Sequence, residues 1–298
     1  MSVEELQLEV SDGFRIAARH WKPTNDRKRS ILCVHGMGAY SGTMQNLGQA
    51  LAKEGSDVYA IDLRGFGKSR EAKLEIGDVS SFERHLRDVE NIVDSLRKKN
   101  AGKVYMLGHS NGGALTVWFT ANHPGVLDGI ILIAPAVELY TKLSTGKRMG
   151  LFFALLFAPR SRFDLLTIFP GWDRTEEYRV LVADPLITME TSVRFAVGSE
   201  RTLGKTQQNG LRVQIPTLII QGELDRHVSA EGTKKLFATI PIKDKRLETY
   251  PDAEHFFYRM LLPLPAEGEP LEKQAKVLAT INIWLEQHTS VRLLTWRL

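Results

Sequence analysis

Apolar and polar residues alternate through Leu6-Gln-Leu-Glu-Val10, an Asp12-Gly13 pair follows, and Phe14 to Trp21 returns to an extended pattern. Strand, Asp-Gly turn and strand predict a β-hairpin. Beyond it the pattern changes to short, continuously apolar runs of strand length: Ser30 to Val34, Asp57 to Ile61, Val104 to Leu107, Leu127 to Ala134 and Pro216 to Ile220, with a further strand around Arg246 to Tyr250. Helical periodicity fills the intervals. One helix is predicted from Thr43 to a stop at Gly55. A second reaches Lys99, with Phe82, Leu86, Val89, Ile92, Val93 and Leu96 on one stripe and a capping box offered by Ser80-Ser-Phe-Glu83. Others span Gly112 to Asn122, about Ala230 to Thr239 and about Glu272 to Gln287. Strands apolar on both faces, alternating with helices, predict an α/β fold with a mostly parallel sheet covered on both sides.

The rhythm stops near Pro135. Residues 137 to about 210 read as helical and irregular, rich in aromatics and without a strong strand. The expected organisation is a core of residues 1–136 and 211–298, interrupted by a helical cap or lid at 137–210.

Composition narrows the function classes. The 298 residues include 39 Lys and Arg against 35 Asp and Glu, a formal charge of +4. That field is weak, and Arg27-Lys28-Arg29 and Arg97-Lys98-Lys99 are the dense clusters, each at the end of an element. Nucleic-acid binding needs a concentrated basic stripe, so no nucleic-acid partner is expected. Cys33 is the lone cysteine. It excludes an internal disulfide and multi-thiolate metal sites. No His-Glu-x-x-His motif or carboxylate cluster argues for a metal, and no cofactor is expected. A lone thiol, an acidic N-terminus without a signal-peptide profile and no apolar run near the roughly 20 residues of a spanning helix suggest a cytoplasmic protein.

The sharpest feature is Gly108-His109-Ser110-Asn111-Gly112, a G-x-S-x-G sequence with an apolar strand before it and a helix after it. A tight turn there lifts a serine hydroxyl above the carboxyl end of the strand, and the helix N-terminus brings N–H groups and a positive dipole beside it. A serine nucleophile needs a base, and the base an orienting acid. This motif expects them in the order Ser, acid, His. Asp225, in Gln221-Gly-Glu-Leu-Asp225, follows one buried strand, and His255, in Tyr250-Pro-Asp-Ala-Glu-His255, follows the next. Glu223 stands nearer the strand end but reads as a loop residue, Asp128 falls at the wrong end of its strand, and His227 reads as a neighbour of Asp225. An oxyanion hole needs two backbone donors. Asn111 offers one, and Met37, in the glycine-flanked turn His35-Gly-Met-Gly38, offers the other. His35 and His109 sit in these turns as structural or substrate-facing residues. Gly67-Lys68-Ser69 resembles the end of a P-loop, but Asp62 stands where that motif needs glycine. Asp62 to Ser69 therefore reads as a loop after the 57–61 strand. Gly36-x-Gly38 likewise fails as a dinucleotide fingerprint, because Ser41 occupies its third glycine position.

Taken with Asp62-Leu-Arg-Gly-Phe-Gly-Lys-Ser69 and Ala253-Glu-His255, these motifs resemble the α/β-hydrolase fold over nearly the whole chain, and within it the monoacylglycerol lipase and lysophospholipase branch of the serine aminopeptidase-type hydrolases. The resemblance implies a carboxylic ester hydrolase with the triad Ser110–Asp225–His255, the hole Met37/Asn111, a lid matching 137–210, and a small-molecule acyl ester substrate such as a monoacylglycerol or lysophospholipid. Fold and triad alone leave open a peptidase, lactonase, carbon–carbon hydrolase or acyltransferase, and from another class a ligand receptor. A serine at 110 disfavours relatives whose nucleophile is a carboxylate. The branch usually has Met after the nucleophile, where this chain has Asn111, whose amide adds a polar group near the acyl site. The prolines of the 259–270 loop and the tail Val291 to Leu298 are features of this chain.

Gly150-Leu-Phe-Phe-Ala-Leu-Leu-Phe-Ala158 admits two readings. It is a lid helix packed over the core or against a second subunit, or else an apolar surface that docks on a lipid interface or lines an acyl channel. The second reading makes Phe152, Phe153 and Phe157 substrate-binding candidates, and the flanking Lys147, Arg148, Arg160 and Arg162 suit a lipid surface.

Overall fold

The computed structural model describes residues 2–24, 29–99, 102–257, 259–263 and 270–289. Its hairpin is β1 (Glu4–Glu9) and β2 (Arg15–Trp21), paired antiparallel with Gly13 at a φ of +76° in the turn. The apolar runs form β3 (Arg29–Val34), β4 (Ser56–Ile61), β5 (Lys103–His109), β6 (Gly129–Ile133) and β9 (Thr217–Gly222), and β10 (Lys245–Tyr250) ends the sheet. Among the described residues this sheet has eight strands in the order β1-β2-β4-β3-β5-β6-β9-β10. β2 meets β4 antiparallel, and every pairing from β4 to β10 is parallel.

Among the described residues five helices pack on its faces, α1 (Gln45–Lys53), α2 (Arg84–Lys99), α3 (Asn111–Asn122), α7 (Ala230–Thr239) and α8 (Pro270–Thr289), and α6 (Val193–Gly210) lies over α3. α1 and α8 pack Leu47, Leu51, Val277 and Trp284 on one face of the sheet. α2, α3 and α7 pack Val89, Ile92, Leu115, Phe119 and Leu236 on the other. Two cores therefore sandwich strands that are buried on both sides, which is why β3, β4, β5, β6 and β9 carry continuous apolar runs.

Chain order reverses at β3, which lies between β4 and β5. Open α/β sheets bind ligands outside the carboxyl ends of their strands at such a switch point. The turns after β3 and β5 both emerge there.

Two expectations differ in detail. The capping box is not formed: α2 starts at Arg84, and Ser80 gives its N–H and hydroxyl to Glu71, both at 2.9 Å. Glu83 instead accepts the Ser81 hydroxyl at 2.5 Å. The polar pairing across the loop outcompetes the local cap. The segment after β6 holds α4 (Thr145–Phe157) and α5 (Glu176–Val182), but also a short antiparallel pair, β7 (Arg162–Asp164) and β8 (Glu190–Ser192). These strands are too short to show a period in the sequence. The segment joins the body at α6, where Arg194 makes a two-pronged ion pair with Asp78, at 2.6 and 2.7 Å. Most of the 259–270 loop beyond Pro263, and the whole tail 291–298, lie outside the described residues.

Candidate active site

The turn between β5 and α3 places Ser110 at φ +53° and ψ −119°, a conformation a side chain adopts only when the surroundings hold it. The surroundings here are glycines. A Cβ on Gly108 would stand 2.4 Å from the Gly112 carbonyl oxygen, and one on Gly112 2.3 Å from that of Val34. Helix, strand and turn are packed backbone to backbone, which only glycine permits. α3 is buried nearly all round, between the sheet and α6, so the elbow is fixed from above as well.

The next contact is made by the residue before the serine. His109 Nε2 lies 3.1 Å from the His255 carbonyl oxygen, and the two rings are 4.7 Å apart. His255 is thereby brought from the loop after β10 to the elbow. Its Nδ1 lies 2.7 Å from Asp225 Oδ2. Asp225 is further held through Oδ1 by the N–H groups of His227 and Val228, at 2.8 and 3.0 Å, and through Oδ2 by Gln221 Nε2 at 3.3 Å. The Thr233 hydroxyl in turn bonds Gln221 Oε1 at 2.8 Å. Burial works to raise the Asp225 pKa, but the charge and hydrogen bond of His255 and the Val228 N–H outweigh it and hold the carboxyl below its usual range. The carboxylate is therefore the working form. Ser110, Asp225 and His255 are all buried.

The other acids considered stand apart from His255 or face solvent. Asp128 is at the far end of the sheet, bonded to Arg97 and to the Val104 N–H. Glu223 is exposed. Gln221 stands in the sequence only as part of the motif at the end of β9, and its role as a second holder of Asp225 shows in the folded chain.

His35 is not a substrate-facing residue. It is fully buried, with Nε2 accepting the Leu63 N–H at 2.9 Å and Nδ1 2.7 Å from the Gly36 carbonyl. It ties the turn after β3 to the loop after β4. Burial drives its pKa down to about 4 and that of His109 to about 3, so both rings are neutral. His109 is buried too, and its contact is His255. The Asp62 to Ser69 segment is a structural loop, with the Asp62 carboxylate accepting the N–H groups of Ser41 and Lys68, both at 2.8 Å.

Met37, Asn111 and Ser110 all border an apolar cavity of about 50 Å³, walled also by residues such as Leu139, Leu151, Phe163, Ile168 and Leu203. As the first residue of α3, Asn111 has an N–H with no partner inside the helix. Its side-chain oxygen accepts the Ser199 hydroxyl from α6 at 2.7 Å. The Met37 turn is pinned by Gly38, whose φ is +73° and whose carbonyl accepts the Thr188 N–H at 2.9 Å. A second compartment of about 400 Å³ borders His255 and is mixed in character, with the charged Glu177, Glu223, Arg226 and Glu254 beside Tyr140, Trp172 and Phe256 in its walls. Burial, then the neighbouring Glu177 carboxyl, push Glu254 up.

Phe152, Phe153 and Phe157 do not line the apolar cavity. They lie on the outer surface of α4 with Met149 and Leu156, and Phe157 is 82% exposed. Leu151 is the residue of α4 that reaches the cavity. Of the flanking cations, Arg148 pairs with Glu200 and Arg162 with Glu190. No helix among the described residues is long and apolar enough to cross a membrane.

The group of metal-ligating side chains found close together among the described residues is Asp225, His227 and His255, with ligand atoms within 4.8 Å of one another. The His227 and His255 rings are stacked, and Asp225 is already engaged by His255 Nδ1. Stacked rings direct their lone pairs side by side rather than at a common point, so this arrangement fits a hydrogen-bonded pair better than an ion site.

A family model described as serine aminopeptidase, S33, matches residues 25–259. Among curated relatives, the chain is 29% identical to human monoglyceride lipase, covering 94% of this chain and 89% of the relative. It is 25% identical to the monoacylglycerol lipase of Mycolicibacterium smegmatis, covering 93% and 94%. Among solved structures it resembles a soluble variant of Saccharomyces cerevisiae monoglyceride lipase in complex with a substrate analog. The TM-score is 0.81 at 23% identity, covering 98% of this chain and 97% of that one. A thermostable carboxyl esterase from Bacillus coagulans in complex with glycerol has the same fold, with a TM-score of 0.78 at 17% identity and coverage of 97% and 100%.

Proposed function

The chain belongs to the serine aminopeptidase, S33, family of hydrolases, and on that footing we propose that it is a serine carboxylic ester hydrolase that cleaves monoacylglycerols through Ser110, His255 and Asp225. The observation that carries this reading is the His255–Asp225 hydrogen bond held beside the Ser110 elbow, with an apolar cavity bordered by Ser110 and a second cavity, bordered by His255, whose walls carry charged side chains. A monoacyl ester has the matching division between acyl chain and polar alcohol.

His255 Nε2 takes the Ser110 proton as Oγ attacks the ester carbonyl. The N–H groups of Met37 and Asn111 hold the oxyanion. The alcohol leaves with the proton from His255, and water repeats the sequence on the acyl-enzyme. Asp225 Oδ2 holds the Nδ1 proton, fixing the tautomer that leaves Nε2 free to act as base.

The apolar cavity, at about 50 Å³, falls well short of the roughly 300–1,000 Å³ of an ordinary small-molecule site. A long acyl chain therefore requires residues 137–210 to move outward, and we read them as a lid inserted in the core of 1–136 and 211–298. Among monoacylglycerols of graded chain length, a lysophospholipid and a peptide amide, the monoacylglycerols are expected to show the highest kcat/KM. Faster turnover of the amide overturns the ester assignment, and faster turnover of the lysophospholipid moves the head group.

The exposed aromatic face of α4, with Lys147 and Arg160 near its two ends, supports a peripheral contact between this lid and a lipid surface. Buried at a bilayer interface, such a face gains hydrophobic free energy in proportion to its area. Liposome co-sedimentation is expected for the wild type and is expected to be lost in a Phe152→Ser/Phe153→Ser double variant. Failure of the wild type to sediment overturns the contact, and sedimentation analysis then tests the alternative, a second copy of the chain on this face.

A further inference from the structure

The His227 ring lies flat against the His255 ring, with centroids 4.6 Å apart and planes inclined by 19°. His227 is itself tightly held. Phe169 lies at 4.5 Å, Trp172 meets it edge-on at 4.8 Å and 88°, and Phe256 stands at 5.7 Å. Its backbone N–H bonds Asp225 Oδ1, so one residue braces both the acid and the base. Its Nε2 is closed off from solvent and has no hydrogen-bond partner among the described residues.

A buried polar atom without a partner costs stability, so Nε2 itself contributes nothing to the fold, and what remains for His227 to offer is its ring. Burial, then repulsion from His255, keep His227 well below the usual imidazole range, and the ring is neutral. A neutral imidazole that spends nothing on Nε2 offers His255 its π face. Such a face attracts a cation, most strongly out of water. The cation arises during turnover: the Ser110 O–H bond breaks, the proton joins His255 Nε2, and the ring becomes an imidazolium beside the Asp225 carboxylate.

We propose that His227 is a positioning residue, a neutral aromatic plate that fixes the plane of the His255 ring and stabilises the positive charge this ring acquires in acyl transfer. The role rests on the triad reading above. It follows that the ring matters and Nε2 does not. His227→Leu keeps the volume and loses the π face. Its kcat on monoacylglycerol is expected to fall about tenfold with KM changed by less than about twofold. His227→Phe keeps the face and removes the orphaned nitrogen. Its kcat is expected to stay within about threefold of the wild type, with a melting temperature at or above it. Should the leucine variant fail to fold, His227→Met takes its place.

A leucine variant with wild-type kcat overturns the proposal, as does a phenylalanine variant that falls as far as the leucine one. The rate of Ser110 labelling by a fluorophosphonate separates this idea from the one beneath it. Equal labelling of the leucine and phenylalanine variants removes the plate alone, whereas an unlabelled wild type removes the triad reading itself.

Discussion

Ser110→Ala is expected to lower kcat on monoacylglycerol by roughly 10⁵- to 10⁶-fold, with KM little changed and fluorophosphonate labelling abolished. The size follows from what the hydroxyl does. Without it no acyl-enzyme forms, His255 has no proton to take, and only binding and the oxyanion donors remain to accelerate attack by water. The fold is expected to survive. The hydroxyl carries none of the hydrogen bonds that hold the elbow: Ser110 bonds through its backbone, giving its N–H to the Ile133 carbonyl and accepting from Gly113, Ala114 and Ala136. A melting temperature within a few degrees of the wild type is therefore part of the prediction. Full activity in this variant, measured on monoacylglycerol or on p-nitrophenyl esters, sinks the mechanism.

Asp225→Asn is expected to lower kcat by about 10⁴-fold, through the tautomer of His255. Asp225 uses one oxygen for the N–H groups of His227 and Val228 and the other for His255 Nδ1. An asparagine has one oxygen. If it stays with the two backbone donors, its NH₂ faces His255 Nδ1 and must find a lone pair there. The ring proton then moves to Nε2, and the atom that should accept the Ser110 proton is occupied. If the amide turns the other way, two buried N–H groups lose their acceptor, at about 1–3 kcal/mol each. The first arrangement predicts a folded, inactive enzyme, the second a destabilised one. Kinetics together with thermal melting distinguish them. A variant that is both stable and active shows that Asp225 does not orient the base.

Much of this site was legible in the sequence, and the parts that were share a physical property. Gly108, Ser110 and Gly112 lie within five positions, and the turn they build depends on the close approach of their own backbones. Asp225 and His255 are farther apart, but each follows an apolar run that reads as a buried strand, and parallel strands deliver their carboxyl ends to one edge of a sheet. The illegible parts involve a choice among long-range partners. Ser80 and Glu83 satisfy a local capping pattern, yet Ser80 bonds Glu71 across the loop. His35 occupies a motif turn, and only the packing of the loop after β4 shows that its Nε2 is taken up by Leu63. His227 looks like a neighbour along the chain because its stacking partner is 28 positions away in sequence and beside it in space.

By itself, then, the order of residues determined the α/β class and the elbow, and it pointed to Ser110, Asp225 and His255 as the side chains of the proposed triad, because backbone sterics and strand burial are decided within a few residues. The tertiary structure decided what those side chains face. A helix as apolar as α4 carries no period from which its inner side can be read, and only packing turns Leu151 to the cavity and Phe152, Phe153 and Phe157 outward. The same holds for the plate beneath His255. Its place depends on Phe169 and Trp172 folding back from the segment after β6, a contact between residues more than fifty positions apart that no local pattern encodes.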